Sequence, residues 1–277
     1  MQTLTLIATG GTIACRAGEE GLAPHLAGAA FAPFAPAGCR VETVDFLRVD
    51  STDLTVEQQW ALARRVQETQ GGVVITHGTD TLAYTAAALT HLLRGERRPV
   101  ILTGSQLPLG APGSDAEGNL TLAFQAACGD KSGVWVACNG RLLPGDRVTK
   151  AHTEDAAAFV ERGVSYPAPD RPPAARPVPT GVLLLYPGLS PAVIDAMDCQ
   201  NLILLALGMG GIPAALLPAL ARRLQGGDRV YVMSQCPGGA ADLTRYAVGR
   251  RALRLGVKPL PALTVENALA LGRCGLL

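Results

Sequence analysis

Two short stretches set groups suited to acyl-transfer chemistry directly after apolar runs. They are "LIATGGT", residues 6–12, and "VVITHGTDT", residues 73–81. Each offers threonine hydroxyls beside glycines, and the second adds the carboxylate of Asp80. A threonine hydroxyl attacks a carbonyl carbon only when a base takes its proton. His77 reads better as a satisfied structural histidine than as that base. Lysine serves when burial keeps it partly neutral. Lys150, in "DRVTKAHTEDAAAF", lies between a strand-like piece and a helix start. A carboxylate such as Asp80 near it would favour the charged form, so this lysine is either desolvated or a charged relay and stabiliser. Gly10 and Gly11 let the backbone pass close to a ligand and aim N–H groups at a carboxylate or a developing oxyanion.

The same residues have structural readings. Thr79 and Asp80 sit where a helix N-cap belongs, and both types cap well. "ATGGT" suits a tight turn, and Ser51 with Thr52 and Asp53 can simply begin a helix. "GMGG", residues 208–211, lacks the spacing of a dinucleotide fingerprint. "TGSQL" at Thr103 is not a GxSxG nucleophile elbow.

The elements that must hold these groups follow from periodicity. Near-continuous aliphatic runs at residues 4–8, 40–45, 72–76, 99–103 and 134–138 predict strands covered on both faces. Between them lie helical patterns. "TVEQ", residues 55–58, is a capping box opening a helix to about residue 70, with Gly71 as its stop. Residues 81–95 and 119–128 give two more helices. Strand–helix alternation predicts a mostly parallel α/β sheet with right-handed crossovers, and ligands of such sheets bind outside the carboxyl ends of the strands. The segment 165–179, "SYPAPDRPPAARPVP", holds six prolines and reads as an extended linker. The pattern then restarts, with strands near 182–186, 202–206 and 229–233 and helices near 214–224, 240–255 and from 265. The expected organisation is a larger N-terminal α/β domain (1–164), the Pro-rich linker (165–179) and a smaller C-terminal α/β domain (180–277).

Composition narrows the function classes. The 277 residues are 48% apolar and only 4% aromatic, so the core is aliphatic. Lys plus Arg number 24 and Asp plus Glu 23, for a net charge of +1, which gives no basic excess for nucleic acid. Seven cysteines at wide spacing, with no CxxC, predict reduced and mostly buried thiols, not a disulfide frame. The four histidines show no HxxH or HExxH spacing, so no metal site is expected. "MQTLTLIATGG" has no basic leader and reads as a first strand. Residues 201–221 are uncharged, but Gly208, Gly210, Gly211 and Pro213 break them into strand, turn and helix. A cytoplasmic protein without membrane contact is expected.

Taken together, the motifs resemble a known family. "IATGGTIA" and "VVITHGTDTLAYTA" look like the two signature segments of the bacterial-type L-asparaginases. "DSTDLT", "VILTGSQLPLGAPGSDAEGNLTLAF", "DRVTKAHTEDAAAF" and "YVMSQCPGGAADLTRYAVGRRALRLGV" continue the similarity in order across most of the chain. The resemblance implies two α/β domains, a homodimer or homotetramer, and hydrolysis of L-asparagine to L-aspartate and ammonia without a cofactor. Carried over by position, Thr12 matches the nucleophile. Thr79 and Lys150 match the second threonine and its lysine, and Asp80 matches the aspartate that completes the group and receives the α-ammonium. Ser51 matches the serine that holds the α-carboxylate, with Thr52 beside it and Gly11 in the first loop. Two relatives in function stand as alternatives: a non-catalytic amino-acid-binding module, and the asparaginase-like subunit of a tRNA-dependent amidotransferase. The latter carries an added N-terminal domain, whereas the first strand here is expected from residue 3.

The chain departs from the family pattern in three places. The loop "CRAGEEGLAPHLAGAAF" lacks the family's activating tyrosine; Leu22 falls about where it would be. Glu19, Glu20, His25 or a water are the remaining acceptors for the Thr12 proton. This loop is expected to act as a lid with Gly18 and Gly21 as hinges. Thr52 stands where relatives that also accept glutamine carry a glutamine, which implies a preference for asparagine. Glu266 and Asn267 are the C-terminal candidates for the group that a neighbouring subunit contributes to the pocket.

Overall fold

The computed structural model describes residues 2–18, 21–167 and 169–277. The chain forms two compact units, Met1–Glu161 and Arg162–Leu277. The first is built from β1 (Gln2–Gly10), β2 (Cys15–Gly18), β3 (Gly21–Pro24), β4 (Cys39–Val49), α1 (Val56–Gln67), β5 (Gly72–Thr76), α2 (Leu82–Leu92), β6 (Pro99–Thr103), α3 (Ala116–Ala127), β7 (Gly133–Cys138), β8 (Arg141–Pro144), β9 (Val148–Lys150) and β10 (Phe159–Glu161). Its main sheet runs in the order β4-β1-β5-β6-β7-β8. The neighbours from β4 through β7 pair parallel, and β7 with β8 antiparallel.

The strands are aliphatic throughout because both faces are covered. Val73, Ile75, Val100 and Leu102 pack on Leu62 and Val66 of α1 and on Ala86 and Leu89 of α2. The alternate residues Leu4, Leu6, Val74 and Ile101 pack on Ala123 and Phe124 of α3 and on Phe31. Residues one apart therefore serve opposite layers, as the two-residue period of a strand requires.

The second unit holds β11 (Thr180–Leu184), α4 (Pro191–Asp195), β12 (Asn201–Ala206), α5 (Leu217–Gln225), β13 (Arg229–Ser234), α6 (Ala247–Leu255), β14 (Lys258–Pro259) and α7 (Val265–Arg273). Its four strands pair parallel in sequence order. The Pro-rich segment lies in this unit. Its Ala174 and Val178 amides donate to the Cys274 and Arg273 carbonyls at the end of α7. The α/β class is as expected. The uncharged stretch 201–221 is β12, a turn closed by a Leu207–Gly211 bridge, a 3-10 turn and the first part of α5. No helix among the described residues is long and apolar enough to cross a membrane.

Several boundaries move. The helix expected over 240–255 begins only at Ala247, because Asp242 accepts both the amide and the hydroxyl of Thr244 and holds that segment in a turn. The third helix starts at Ala116, three residues before Asn119. The edge strand β4 extends to Val49, and α4 and β8 to β10 are additional. The capping box is present in full: the Thr55 hydroxyl accepts from the Gln58 amide at 3.3 Å, and the Gln58 side chain accepts from the Thr55 amide at 2.8 Å.

Because this cap satisfies two amides that the helix cannot, Thr55→Ala is expected to destabilise the protein by about 1 kcal/mol. Calorimetry should show Tm lowered by roughly 2–4 °C; an unchanged Tm would show that the box adds nothing to stability.

Candidate active site

β1 connects leftward to β4, whereas β5 connects rightward to β6, so the crevice between β1 and β5 is the point where the strand order reverses. The loops following β1, β4 and β5 meet there with almost no side chain between them. A Cβ on Gly11 would lie 2.3 Å from both Cα and N of Gly78, and one on Gly78 would lie 2.5 Å from the Ser51 Oγ. Gly11 also has a φ of 77°, which disfavours any other residue. The Thr81 hydroxyl adds a 2.8 Å bond to the Ser51 carbonyl. Thr9 Oγ1 ties β1 to β5 through the Thr76 carbonyl at 2.8 Å.

In this crevice Lys150 Nζ donates to Thr79 Oγ1 at 2.8 Å and to Asp80 Oδ1 at 2.6 Å. Lys150 sits at the end of β9, held by the antiparallel pairing of Lys150 with Phe159. Its side chain is only 17% exposed while that of Asp80 is 60% exposed. The lysine is therefore enclosed, and the carboxylate keeps an open side. The N-cap reading of Thr79 and Asp80 does not hold: α2 begins at Leu82 with Thr81 at the cap position, and no side chain closes the cap.

The Thr79 hydroxyl in turn donates to Gln106 Oε1 at 3.2 Å, and Gln106 Nε2 donates to the Asp155 carbonyl at 3.1 Å. The Gln106 amide donates to the Asp115 carboxylate at 2.9 Å. Asn119 Nδ2 bonds both Asp115, at 3.0 Å, and the Gly104 carbonyl, at 2.9 Å. "TGSQL" and "SDAEGNL" thus supply a buttress for Thr79. Residue type alone gave Gln106 no role, because its partner lies 27 positions away.

The remaining expected residues are placed as follows. Thr12 opens a 3-10 turn, Thr12–Ala14, directly after Gly11. Among the described residues its hydroxyl has no hydrogen-bond partner. Ser51 is buried at 4% exposure beside Gly78. Thr52 is exposed, and both its amide and its hydroxyl donate to Asp50 Oδ1, at 2.9 and 2.8 Å. The Gly11 N–H is not free for an anion, since it donates to the Val49 carbonyl at 3.1 Å. Gly18 and Gly21 face one another at the tip of the β2–β3 hairpin. Leu22 on β3 is 58% exposed. The His25 amide donates to the Ala14 carbonyl at 2.7 Å. Glu19 and Glu20 lie outside the described residues. Glu266 and Asn267 are buried at 7% and 0% exposure within the chain.

His77 is structural, as expected. It is fully buried, with Nδ1 2.8 Å from the Gly78 carbonyl and Nε2 3.0 Å from Thr85 Oγ1. A carbonyl only accepts, so Nδ1 carries the proton. Nε2 then accepts from Thr85, whose oxygen accepts from Gln59 Nε2 at 3.1 Å. The chain closes with a neutral ring. Burial pushes the His77 pKa down to about 4, against a smaller upward pull from the Gly78 carbonyl.

The fold and this cluster define a two-unit α/β protein with a Thr–Lys–Asp group at a strand-end crevice. Residues 3–168 match the family model described as asparaginase, N-terminal, and residues 181–275 match that of the glutaminase/asparaginase C-terminal domain. The L-asparaginase of Thermococcus kodakarensis is 36% identical over 96% of this chain and 90% of its own. L-asparaginase 1 of Escherichia coli K12 is 34% identical over 94% and 88%. A glutamyl-tRNA(Gln) amidotransferase subunit of T. kodakarensis is 29% identical, over 97% of this chain and 70% of its own. Among solved structures, the thermostable L-asparaginase of T. kodakarensis superposes with a TM-score of 0.87 at 35% identity, covering 97% of this chain and 90% of that one. L-asparaginase I of Vibrio cholerae gives 0.81 at 28% identity, covering 99% and 92%. The chain belongs to the asparaginase family.

His77 also gives stability a pH dependence. Its pKa is lower in the folded protein than in the unfolded chain, so its contribution is full above about pH 6.5 and is lost as pH falls towards 4, where only the unfolded chain binds the proton. The loss across that window is roughly 3 kcal/mol. Urea denaturation at stepped pH should show it in the parent and a flatter slope in His77→Gln; equal slopes would mean that His77 is charged in the folded protein.

Proposed function

We propose that the protein is an amidohydrolase that converts L-asparagine to L-aspartate and ammonia, with Thr12 as nucleophile and Thr79, Lys150 and Asp80 as the group that supports it. The observation that carries this reading is the single lysine donating to both Thr79 Oγ1 and Asp80 Oδ1 in the crevice beside the Thr12 loop. Family membership and the likeness to L-asparaginases from three organisms support the substrate class.

Free asparagine carries two opposite charges, and each needs a fixed partner when it leaves bulk water. The open side of Asp80 receives the α-ammonium. Ser51, with Thr52 next to it, receives the α-carboxylate. Thr12 Oγ attacks the side-chain amide carbon, the tetrahedral intermediate expels ammonia, and an acyl-enzyme ester remains. Water attacks that ester, aspartate leaves, and Thr12 regains its proton. Lys150 and Thr79 stabilise charge and relay protons through these steps.

Ammonia release from asparagine by the purified protein tests the reading. Thr12→Ala is expected to lower kcat by about a thousandfold or more, and Lys150→Met by about a hundredfold, with circular dichroism unchanged. Full turnover by Thr12→Ala would remove the nucleophile assignment. Asparagine binding by the parent with no ammonia formed would make the protein an amino-acid-binding module instead.

Thr52 is shorter than glutamine and is tethered to Asp50, which sets the depth of the carboxylate end of the pocket. A fixed depth separates two amides that differ by one methylene. kcat/KM for asparagine is expected to exceed that for glutamine by at least about tenfold; equal values for the two would refute the preference.

A further inference from the structure

Cys39 and Cys128 are 89 positions apart in sequence, yet their sulfurs lie 3.4 Å from one another. Cys39 is the first residue of β4, the edge strand of the main sheet, and Cys128 closes the C-terminus of α3. Both are held by backbone bonds. The Cys39 amide donates to the Pro36 carbonyl at 3.2 Å, and the Cys128 amide to the Phe124 carbonyl at 3.1 Å. Gln2, the partner of Cys39 in the β1–β4 ladder, donates from Nε2 to the Cys128 carbonyl at 3.2 Å, so three elements meet at the pair. Both thiols are half-buried and remain reachable by small reagents, whereas Cys15, Cys138, Cys199 and Cys274 are buried and Cys236 is exposed.

We propose that Cys39 and Cys128 form a built cross-linking site, which a peroxide or a low-molecular-weight disulfide converts to an intrachain disulfide pinning the edge strand β4 to the end of α3. With hydrogen peroxide, one thiolate attacks a peroxide oxygen and is oxidised to the sulfenic acid as water leaves. The second thiol displaces the sulfenic oxygen as a second water, and the S–S bond forms. With a low-molecular-weight disulfide, the first thiolate forms a mixed disulfide and releases one thiol; the second thiol displaces the other. In each case two protein thiols lose two electrons and two protons to the oxidant. Closing the bond asks for a sulfur shift of about 1.4 Å from the observed contact.

The pair is suited to lasting oxidation more than to a rapid signal. Burial, then the hydrogen bond shared with Cys39, pushes the Cys128 thiol up to about 11, so its thiolate is scarce at neutral pH. The consequence is mechanical. β4 is paired on one edge only, and a bond at its first residue stops the strand from peeling away from β1.

The test uses the full-length reduced protein, treated with hydrogen peroxide or, separately, with oxidised glutathione, then alkylated and digested without reductant. A single cross-linked peptide pair containing Cys39 and Cys128 is expected from both reagents. Tm should rise by roughly 5 °C or more, because the link closes a long loop, and should return on reduction. Cys39→Ser and Cys128→Ser should each abolish the cross-link and the Tm rise, and Cys236→Ser should keep both. Recovery of alkylated Cys39 and Cys128 after an oxidation that consumes Cys236 would overturn the proposal. So would a cross-link that forms and lowers Tm, since that would mark a strained contact and not a fitted site.

Discussion

The site depends on a contact between two backbones. Gly11 and Gly78 approach so closely that a Cβ on Gly11 would lie 2.3 Å from the opposite chain segment. No shift of a flexible side chain relieves a backbone clash, so any larger residue must separate the loops after β1 and β5. Ser51 is caught in the same contact, because its Oγ lies against the space where a Gly78 side chain would be. The sheet brings β1, β4 and β5 side by side, and these glycines turn that adjacency into a common floor. Groups carried by three separate loops then keep fixed relative positions, which is what a reaction needing several aligned atoms requires.

The floor is itself held from below. Neutral His77 donates to the Gly78 carbonyl and accepts from Thr85 on α2, so a buried ring ties down the residue that approaches Gly11. On the other side Asp115 and Asn119 tie the Gln106 segment to α3, and Gln106 takes the Thr79 hydrogen. These bonds are almost all to backbone groups or between side chains with a single geometry. The β5 loop is therefore the most constrained of the three. The Thr12 loop leads straight into the β2–β3 hairpin.

Much of this could be read in the sequence where the signal is local. The aliphatic runs gave the central strands, because burial on both faces leaves little room for polar residues. "TVEQ" gave the start of α1, because a capping box is closed within four residues. "THGTDT" and Lys150 gave a charged cluster through resemblance, and the bond from Lys150 to Asp80 joins residues 70 positions apart. What the sequence concealed is the partner of each polar group. Gly11 was expected to offer its N–H, but β4 reaches far enough for Val49 to take it. Thr79 and Asp80 looked like caps, since their types suit one, yet Lys150 claims both side chains. Gly18 and Gly21 looked like hinges, and pairing across a hairpin places them at its tip. For Gly11, Thr79 and Asp80 the reason is the same: a hydrogen bond with a distant element outbids the local one.

The direction of the hydrogen bonds also constrains how the proposed reaction is driven. Thr79 Oγ1 accepts from Lys150 and gives its own hydrogen to Gln106, so both of its roles are filled at rest. Lys150 is committed to Asp80 as well, at the shorter of its two bonds. A lysine donating twice, with a carboxylate as one partner, acts as a source of positive charge more readily than as a base. The order of events that follows is electrostatic first. In the proposed reaction the α-ammonium of the substrate would approach the open side of Asp80, compete with Lys150 for that carboxylate, and loosen the lysine's hold. Only then would Lys150 be free to shift its proton towards Thr79, and Thr79 to exchange Gln106 for the reacting centre. Recognition of the zwitterion would thereby release the proton relay. That coupling would tie the proposed turnover to a free amino acid, because an amide without the α-ammonium would leave the lysine bound where it rests.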